Sequence, residues 1–290
     1  MSLLLDEIAI ATARLAEAGV ESPRTDAELI AAHLHGVARS ELHLVPDASF
    51  DPRFWDDIAR RQAREPLQHI TGIAYFRYLE LAVGPGVFVP RPETEVMTGW
   101  AIDQLAAMDV AEPLVADLGT GSGAIALSIA QEVPRALVHA VEADPLASQW
   151  TERNIASVAA ASPHTAGRVR LHAGDFGAAL AGFDGQFDLI VSNPPYIPVG
   201  AWVPPEVGEY DPATALWGGR DGLDAVRIIE GTGRRLLRPG GLLAVEHGAQ
   251  QGAAVYWVFA EENGWRETRN HTDLAGRDRF VTAVWPGTRP

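Results

Sequence analysis

From about residue 93 onward, short apolar runs alternate with stretches of helical character, and nothing else in the chain constrains its fold so strongly. Leu114–Leu118, Ala136–Val141, Val169–Ala173, Phe187–Ser192 and Gly241–Val245 are short and rich in apolar residues. Such runs suit parallel strands buried on both faces. Helical stretches separate most of them, and Phe280–Trp285 reads as a further strand near the end. Strand–helix alternation of this kind predicts a doubly wound α/β sheet. The first ~70 residues differ. Leu4, Ile8, Ala11 and Leu15 recur at helical spacing. Ser22-Pro23 and Asp51-Pro52 have the form of an N-cap followed by proline. Leu29, Ile30, Leu34, Phe54, Trp55 and Ile58 supply apolar faces, and Gly19-Val20 and Pro46-Asp47 mark turns. A small helical bundle is the expectation there. Between the two parts, β-branched and aromatic residues flank Gly84-Pro85-Gly86, which predicts a short hairpin acting as a linker. The expected division is 1–72 for the bundle, 73–92 for the hairpin and 93–290 for the α/β domain.

Composition removes several chemistries. The chain has 290 residues, no cysteine, and no lysine among its 23 cationic side chains. A disulfide framework, a thiolate metal site and a cysteine nucleophile are excluded. So are Schiff-base chemistry and a Walker-type phosphate loop, which need lysine. A hydrophobic content of 47% excludes wholesale disorder. The formal charge is −15, and both the first 90 residues and the remainder are acidic. Duplex binding draws on cationic contacts to phosphate, so a stable nucleic-acid complex is not expected. Residues 1–20 lack a basic leader and are broken by Asp6, Glu7, Arg14 and Glu17. The longest apolar runs fall short of the ~20 residues of a spanning helix. The expectation is a soluble cytoplasmic protein with no membrane association.

In open α/β sheets the ligand sits beyond the carboxyl ends of the strands, so the loops there carry the chemistry. The first strand leads into Asp117-Leu118-Gly119-Thr120-Gly121-Ser122-Gly123 and then a helix. Alternate glycines allow a tight turn and close approach of a ligand to backbone. The spacing departs from G-x-G-x-x-G, and an acid two residues before the first glycine would repel a pyrophosphate. Asp117 can instead hold a cation, such as the ammonium of an amino-acid moiety. Glu142 ends the second strand, 23 positions after Gly119, where an acid can accept from both ribose hydroxyls. After the third strand, Asp175 can accept from an exocyclic amine and Phe176 can pack on a purine. Gly174-Asp175 is also a common turn.

The fourth strand ends in Asn193-Pro194-Pro195-Tyr196, the most specific signal in the chain. Two prolines can simply end a strand. Proline also fixes φ and has no N–H, so the loop presents carbonyl acceptors in a rigid array. An asparagine oxygen beside a proline carbonyl can accept both hydrogens of a planar –NH₂ group, and Tyr196 can stack on it. That suits a nitrogen attached to an sp² carbon, as in a carboxamide or an aminopurine. Elsewhere the signals are weaker. His33 and His35 are too close along a helix to share a face. Arg91 either serves the helix start with Glu93 and Glu95 or contacts substrate or cofactor. His247 either makes a structural hydrogen bond or lines the site, and Glu246 beside it reads as structural. No metal site is expected.

The glycine loop, the acid after the second strand and Asn193-Pro194-Pro195-Tyr196 resemble a class I methyltransferase using S-adenosylmethionine. Phe88-Val89-Pro90-Arg91-Pro92-Glu93-Thr94-Glu95, Pro66-Leu67-Gln68-His69-Ile70-Thr71-Gly72, Glu246-His247-Gly248 with Gln251-Gly252, and Asp273 through Arg279 are similar to the peptide chain release factor glutamine methyltransferases of HemK/PrmC type. The usual aspartate after the second strand is Glu142 here, and a frequent tryptophan after Asp175 is Phe176. The resemblance implies a Rossmann-like class I methyltransferase sheet with an N-terminal helical bundle for substrate recognition and a β-hairpin linker. It implies that Asp117, Gly119, Thr120, Gly121, Ser122, Gly123, Glu142, Asp175, Phe176 and Asn193 bind S-adenosylmethionine, leaving S-adenosylhomocysteine as product. Asn193, Pro194, Pro195 and Tyr196 would bind the glutamine of a release factor's Gly-Gly-Gln loop, with Asn193, Pro194 and Tyr196 catalytic. The product would be N5-methylglutamine, in support of translation termination. The expected partner is a class I release factor, and the chain is expected to be a monomer. A ribosomal-protein glutamine or a nucleic-acid base are the rival substrates. A binding module without catalysis would show damage to the glycine loop or to Asn193-Pro194-Pro195-Tyr196, and both are intact.

Overall fold

In the computed structural model, residues 3–46 and 49–287 are described. Asp47, and with it half of the turn expected at Pro46-Asp47, lies outside them. The described chain forms two compact units. One comprises residues 1–73, 83–85 and 203–211, and the other residues 74–82, 86–202 and 212–290.

The first unit is built on α1 (Leu3–Glu17), α2 (Pro23–His35), α3 (Arg53–Gln62) and α4 (Leu67–Thr71). Leu4, Ile8, Ala11 and Leu15 form the buried stripe of α1, as their spacing predicts. They meet Ile30, Phe54 and Ile58 in one core, with Leu34 and Trp55 at its edge. Ser22 occupies the N-cap of α2 without a side-chain bond, and Gly36 ends that helix at φ 62°. Residues 203–211 belong to this unit although they lie far along the chain. Glu206 accepts from Arg64 Nε at 2.6 Å and from Arg61 Nη2 at 3.1 Å. Arg61 also pairs with buried Asp26 at 2.8 Å, and the Tyr210 hydroxyl donates to Ala63 O at 2.7 Å.

The second unit opens with a hairpin, β1 (Ile73–Phe76) and β2 (Leu79–Ala82), whose first residue still belongs to the first unit. The strands turn at Arg77-Tyr78, upstream of the expected Gly84-Pro85-Gly86. Arg77 takes φ 50° there. It is held by Glu132, which accepts from Nε at 2.6 Å, and by Glu95, which accepts from its backbone N–H at 3.0 Å. Alternation along the pair buries Phe76, Leu79 and Leu81 in the core of the α/β unit.

The large sheet has seven strands: β3 (Leu114–Leu118), β4 (Leu137–Glu142), β5 (Val169–Ala173), β6 (Phe187–Ser192), β7 (Leu237–Glu246), β8 (Arg266–Thr272) and β9 (Asp278–Trp285). Their order is β5-β4-β3-β6-β7-β9-β8. The first five are parallel, while β9 is antiparallel to both β7 and β8. Successive residues of a strand face opposite sides. Val115, Leu189 and Ala244 accordingly join one apolar cluster, and Ala116, Ile190 and Leu243 join the other. Covering helices are α5 (Thr94–Ala107), α6 (Ala124–Glu132) and α7 (Pro145–Ala161) on one cluster, and α10 (Asp224–Leu236) and α11 (Gly252–Val258) on the other. The short turns α8 (Pro205–Gly208) and α9 (Ala213–Leu216) follow β6. Both faces are therefore buried, which is why β6 shows no polar alternation. Strand order reverses between β3 and β6, and that is where ligands bind in such sheets. Among the described residues no helix is long and apolar enough to cross a membrane.

Candidate active site

The loops after β3 and β6 flank the switch point. In the loop after β3, Gly119, Gly121 and Gly123 take φ 78°, 58° and 84°, a region that side-chain-bearing residues enter at a cost of about 1–2 kcal/mol. A Cβ on Gly119 or Gly121 would meet nothing within 4 Å, so the backbone there faces open space. A Cβ on Gly123 would press on Leu127 at 3.1 Å and Thr151 at 3.3 Å. The first two glycines leave room in front of the loop, and the third lets α6 and α7 close behind it.

Asp117 lies wholly buried beneath this loop. Its Oδ2 accepts from the Thr120 hydroxyl at 2.6 Å and from the Ala126 N–H, in the first turn of α6, at 3.1 Å. Oδ1 has no hydrogen-bond partner among the described residues. Burial pushes the carboxyl up to about 7, against the pull of those two donors. Gly119 and Thr120 donate their N–H groups to Val141 O at 2.9 Å. Glu142 accepts the Gly121 N–H on one oxygen and the Asp144 N–H on the other, each at 2.9 Å. Each carboxylate oxygen keeps a further lone pair. Thr120 and Ser122 are themselves buried.

Two α7 side chains hold the loop from behind. Thr151 Oγ1 donates to Gly121 O at 2.5 Å. Asn154 Nδ2 donates to Ser122 O at 2.9 Å and to Ala82 O at 3.0 Å, while its Oδ1 accepts the Ala82 N–H at 2.8 Å. Asn154 thus fastens β2 and the glycine loop to one helix.

After β5, Gly174 donates to Glu142 O at 2.8 Å, which ties this turn to the end of β4. Asp175 is exposed and accepts the Gly177 N–H at 2.8 Å. Phe176 packs half-buried against the core beneath α10.

In the loop after β6, Pro194 is buried while Asn193, Pro195 and Tyr196 are half-buried. Asn193 Nδ2 donates to Thr94 Oγ1 at 3.1 Å. With its amine so engaged, the amide presents Oδ1 as an acceptor. The Tyr196 hydroxyl makes a long hydrogen bond, 3.4 Å, to Glu246 Oε1. Burial and the Glu246 charge raise the phenol well above its ordinary range. Gln251 braces the loop from the start of α11: Nε2 donates to Tyr196 O at 2.9 Å, and Oε1 accepts the Gly248 N–H at 2.8 Å. Gly218 and Gly222 let neighbouring backbone lie against it, since a Cβ would fall 2.5 Å from Pro195 O or 2.2 Å from Tyr196 O.

Against this geometry the chain can be compared with known proteins. Residues 8–72 match the family model of the PrmC N-terminal domain, and residues 82–202 match the methyltransferase small domain. A release factor glutamine methyltransferase of Streptomyces coelicolor is 60% identical over 98% of this chain and 98% of its own. The chain belongs to the release factor glutamine methyltransferase family. A Mycolicibacterium smegmatis protein of the same name is 45% identical over 98% of both chains. A 4-amino-L-phenylalanine/4-methylamino-L-phenylalanine methyltransferase of Streptomyces pristinaespiralis is 41% identical, over 97% of this chain and 93% of its own. Among solved structures, the METTL16 MTase domain shares the fold with a TM-score of 0.51 at 14% identity, covering 72% of this chain and 74% of its own.

For this member of the release factor glutamine methyltransferase family, the loops take support from several side chains beyond those expected to bind donor or substrate. Thr94 and Gln251 stand in the family-like stretches with no role of their own expected, and Glu246 reads as a structural acid. Thr94 and Glu246 face Asn193-Pro194-Pro195-Tyr196. Thr151 and Asn154 are polar residues inside α7, with no local pattern to single them out. Burial of all but Gln251 marks them once the fold is known. The His247 ring nitrogens lie 2.9 Å from Gly248 O and 3.0 Å from Asn270 Oδ1. The Arg91 guanidinium stacks on Phe88 at 4.9 Å.

Proposed function

We propose that this chain methylates the side-chain amide nitrogen of the glutamine in the Gly-Gly-Gln loop of class I peptide chain release factors, with S-adenosylmethionine as donor. The observation that carries the reading is the Asn193 amide, turned by Thr94 so that its oxygen stands as an acceptor beside the buried Pro194. Full-length relationship to release factor glutamine methyltransferases supports the substrate.

Residues of the glycine loop fit the donor. The open space in front of Gly119 and Gly121 admits its amino-acid part against the backbone. Asp117 Oδ1, buried and partnerless, suits an ammonium arriving there. The spare lone pairs of Glu142 suit two ribose hydroxyls. Asp175 and Phe176 would flank the adenine, and Thr120 and Ser122 shape the loop from within. When bound, S-adenosylmethionine supplies a methyl group on a sulfonium, whose departure needs no acid.

The chain's own task is the nucleophile. An amide nitrogen's lone pair is delocalised into its carbonyl. Asn193 Oδ1 and the Pro194 carbonyl, gripping both N–H bonds, favour the orientation in which the lone pair faces the methyl group. They also stabilise positive charge growing on nitrogen. Pro195 stiffens the loop and Tyr196 lines the slot. The methylated nitrogen is acidic and loses its proton to water or an acceptor, so no strong base is required. Residues 1–72 serve substrate recognition in this scheme, and residues 93–290 carry the transfer. The enzyme acts as a cytoplasmic monomer without a stable nucleic-acid complex.

A second reading has one specific support, the Streptomyces pristinaespiralis relative. An aromatic amine also carries –NH₂ on an sp² carbon, and the same acceptors suit it. The decisive experiment supplies labelled donor with purified release factor, a ribosomal-protein mixture, DNA and 4-amino-L-phenylalanine. Label in the Gly-Gly-Gln peptide is expected. Its absence there, or its appearance in DNA, in a ribosomal protein or in the amine instead, overturns the proposal.

A further inference from the structure

Glu246 is a buried acid that transfer, as described, does not use. It follows Val245, which pairs in register with Ser192 of β6, so it stands beside Asn193 in the neighbouring strand. Its side chain is 1% exposed. Oε1 faces the Tyr196 hydroxyl, and Oε2 has no hydrogen-bond partner among the described residues. The Thr94 hydroxyl also acts on the carboxyl, as do the charges of Arg279 and Glu93.

Thr94 is the informative member. It is buried, and its Oγ1 accepts from Asn193 Nδ2. A hydroxyl has one proton to donate. With its lone pair facing Asn193, Thr94 turns that proton to the carboxyl. The chain this would make has a fixed polarity: Asn193 N–H to Thr94, and the Thr94 O–H turned toward Glu246. The far end of the chain is Asn193 Oδ1, left as an acceptor. Without an acceptor at Glu246, the Thr94 proton would turn to Asn193 Oδ1, and the amide would flip. Its –NH₂ would then meet the substrate's –NH₂, donor against donor.

We infer that Glu246 is a positioning residue that acts through Thr94 and Tyr196 to hold the Asn193 side chain with its oxygen turned to the substrate amide. This rests on the reading of Asn193 as the amide acceptor. Burial pushes the Glu246 carboxyl up to about 7. The arrangement tolerates either protonation state, because a proton on Oε2 leaves Oε1 an acceptor.

The test measures kcat and KM for a Gly-Gly-Gln peptide, with S-adenosylmethionine affinity by calorimetry. Glu246→Leu and Thr94→Val remove the acceptor and the hydroxyl at similar volume. Each is expected to lower kcat roughly 10- to 100-fold, the worth of one hydrogen bond to a charged group. Donor affinity should stay within about twofold, because these variants leave the glycine loop intact. Glu246→Gln and Thr94→Ser keep an acceptor and a hydroxyl and should retain most activity. The double variant Thr94→Val/Glu246→Leu should be no worse than its poorer single, as for two links of one chain. Unchanged kcat in the single variants overturns the inference. So does equal loss of kcat and donor binding in all four, which would mark a merely structural acid, or multiplicative loss in the double. Asn193→Ala, assayed in parallel, separates the failures: if it too is fully active, the amide-grip reading falls, and if it alone is inactive, only the role of Glu246 falls.

Discussion

Asp117 and Glu246 form a natural pair. Each is a buried carboxyl beneath a strand-end loop, each is raised to about 7 by burial, and each has one oxygen without a partner among the described residues. They differ in where their partners come from. Asp117 is held by Thr120 and Ala126, within nine residues of itself. Glu246 meets Tyr196, 50 positions away, and Thr94 on α5. The acid beneath the glycine loop is thus held by its own neighbourhood, while Thr151 and Asn154 of α7 brace the loop's carbonyls from behind. The Asn193-Pro194-Pro195-Tyr196 loop is rigid in backbone but takes its side-chain orientation from β7, α5 and α11. In the loop that would wrap a ligand with backbone, the remote struts grip main-chain carbonyls, whereas in the loop that must aim one amide they also set a side chain.

The sharpest break of that contrast is Asn193→Ala. It is expected to lower kcat about 100- to 1,000-fold, the usual cost of losing a group aimed at developing charge. Donor affinity should fall far less, and a parallel loss would make Asn193 mainly structural. Asn154→Leu comes next and attacks the glycine loop from behind. It leaves Ser122 O, Ala82 N–H and Ala82 O without partners in a buried site. Denaturant unfolding should report a loss of about 2 kcal/mol or more, with weaker donor binding. An unchanged midpoint would show that the loop stands without that strut.

The smallest effect is expected from Asp117→Asn, and its sign depends on pH. The folded chain keeps the Asp117 proton to about 7, while the unfolded chain releases it near 3.8. Between those values the folded state binds more protons, so stability falls as pH rises. Glu246 contributes in the same direction from 4.5. Asp117→Asn should therefore flatten part of that fall and raise the melting temperature of the ligand-free chain at about pH 8 more than at about pH 5. Donor binding should weaken together with this gain. A destabilised variant at both values would show that the charged form is the one the fold prefers.

The same contrast explains what was legible in the sequence. Strands β3 and β6 have the bounds expected from their apolar runs, because burial on both faces leaves little ambiguity, and the half-exposed edge strand β5 also has its expected bounds. The β8 strand, Arg266–Thr272, was not anticipated: it is a polar edge strand, mostly exposed, with no apolar period to reveal it. The hairpin was expected around Gly84-Pro85-Gly86, a stronger local turn signal than Arg77-Tyr78. The real turn is held by an ion pair from Arg77 to Glu132 of α6 and by its backbone N–H donating to Glu95 of α5, which no local rule registers. The glycine loop and Asn193-Pro194-Pro195-Tyr196 announce themselves by composition. Thr94, Asn154, Glu246 and Gln251 do not, because what makes them important is which distant groups they reach.

Residues 203–211 carry a lesson for anyone who would divide this protein. They start seven positions after Tyr196, yet they fold with the helical unit, where Glu206 meets Arg61 and Arg64. The helical unit is therefore not a detachable prefix. A chain begun after residue 73 would keep a nine-residue loop stripped of its two arginines, and the excised helices would lose the acid that neutralises those arginines. Grafting the helices onto another sheet would require that distant loop to travel with them.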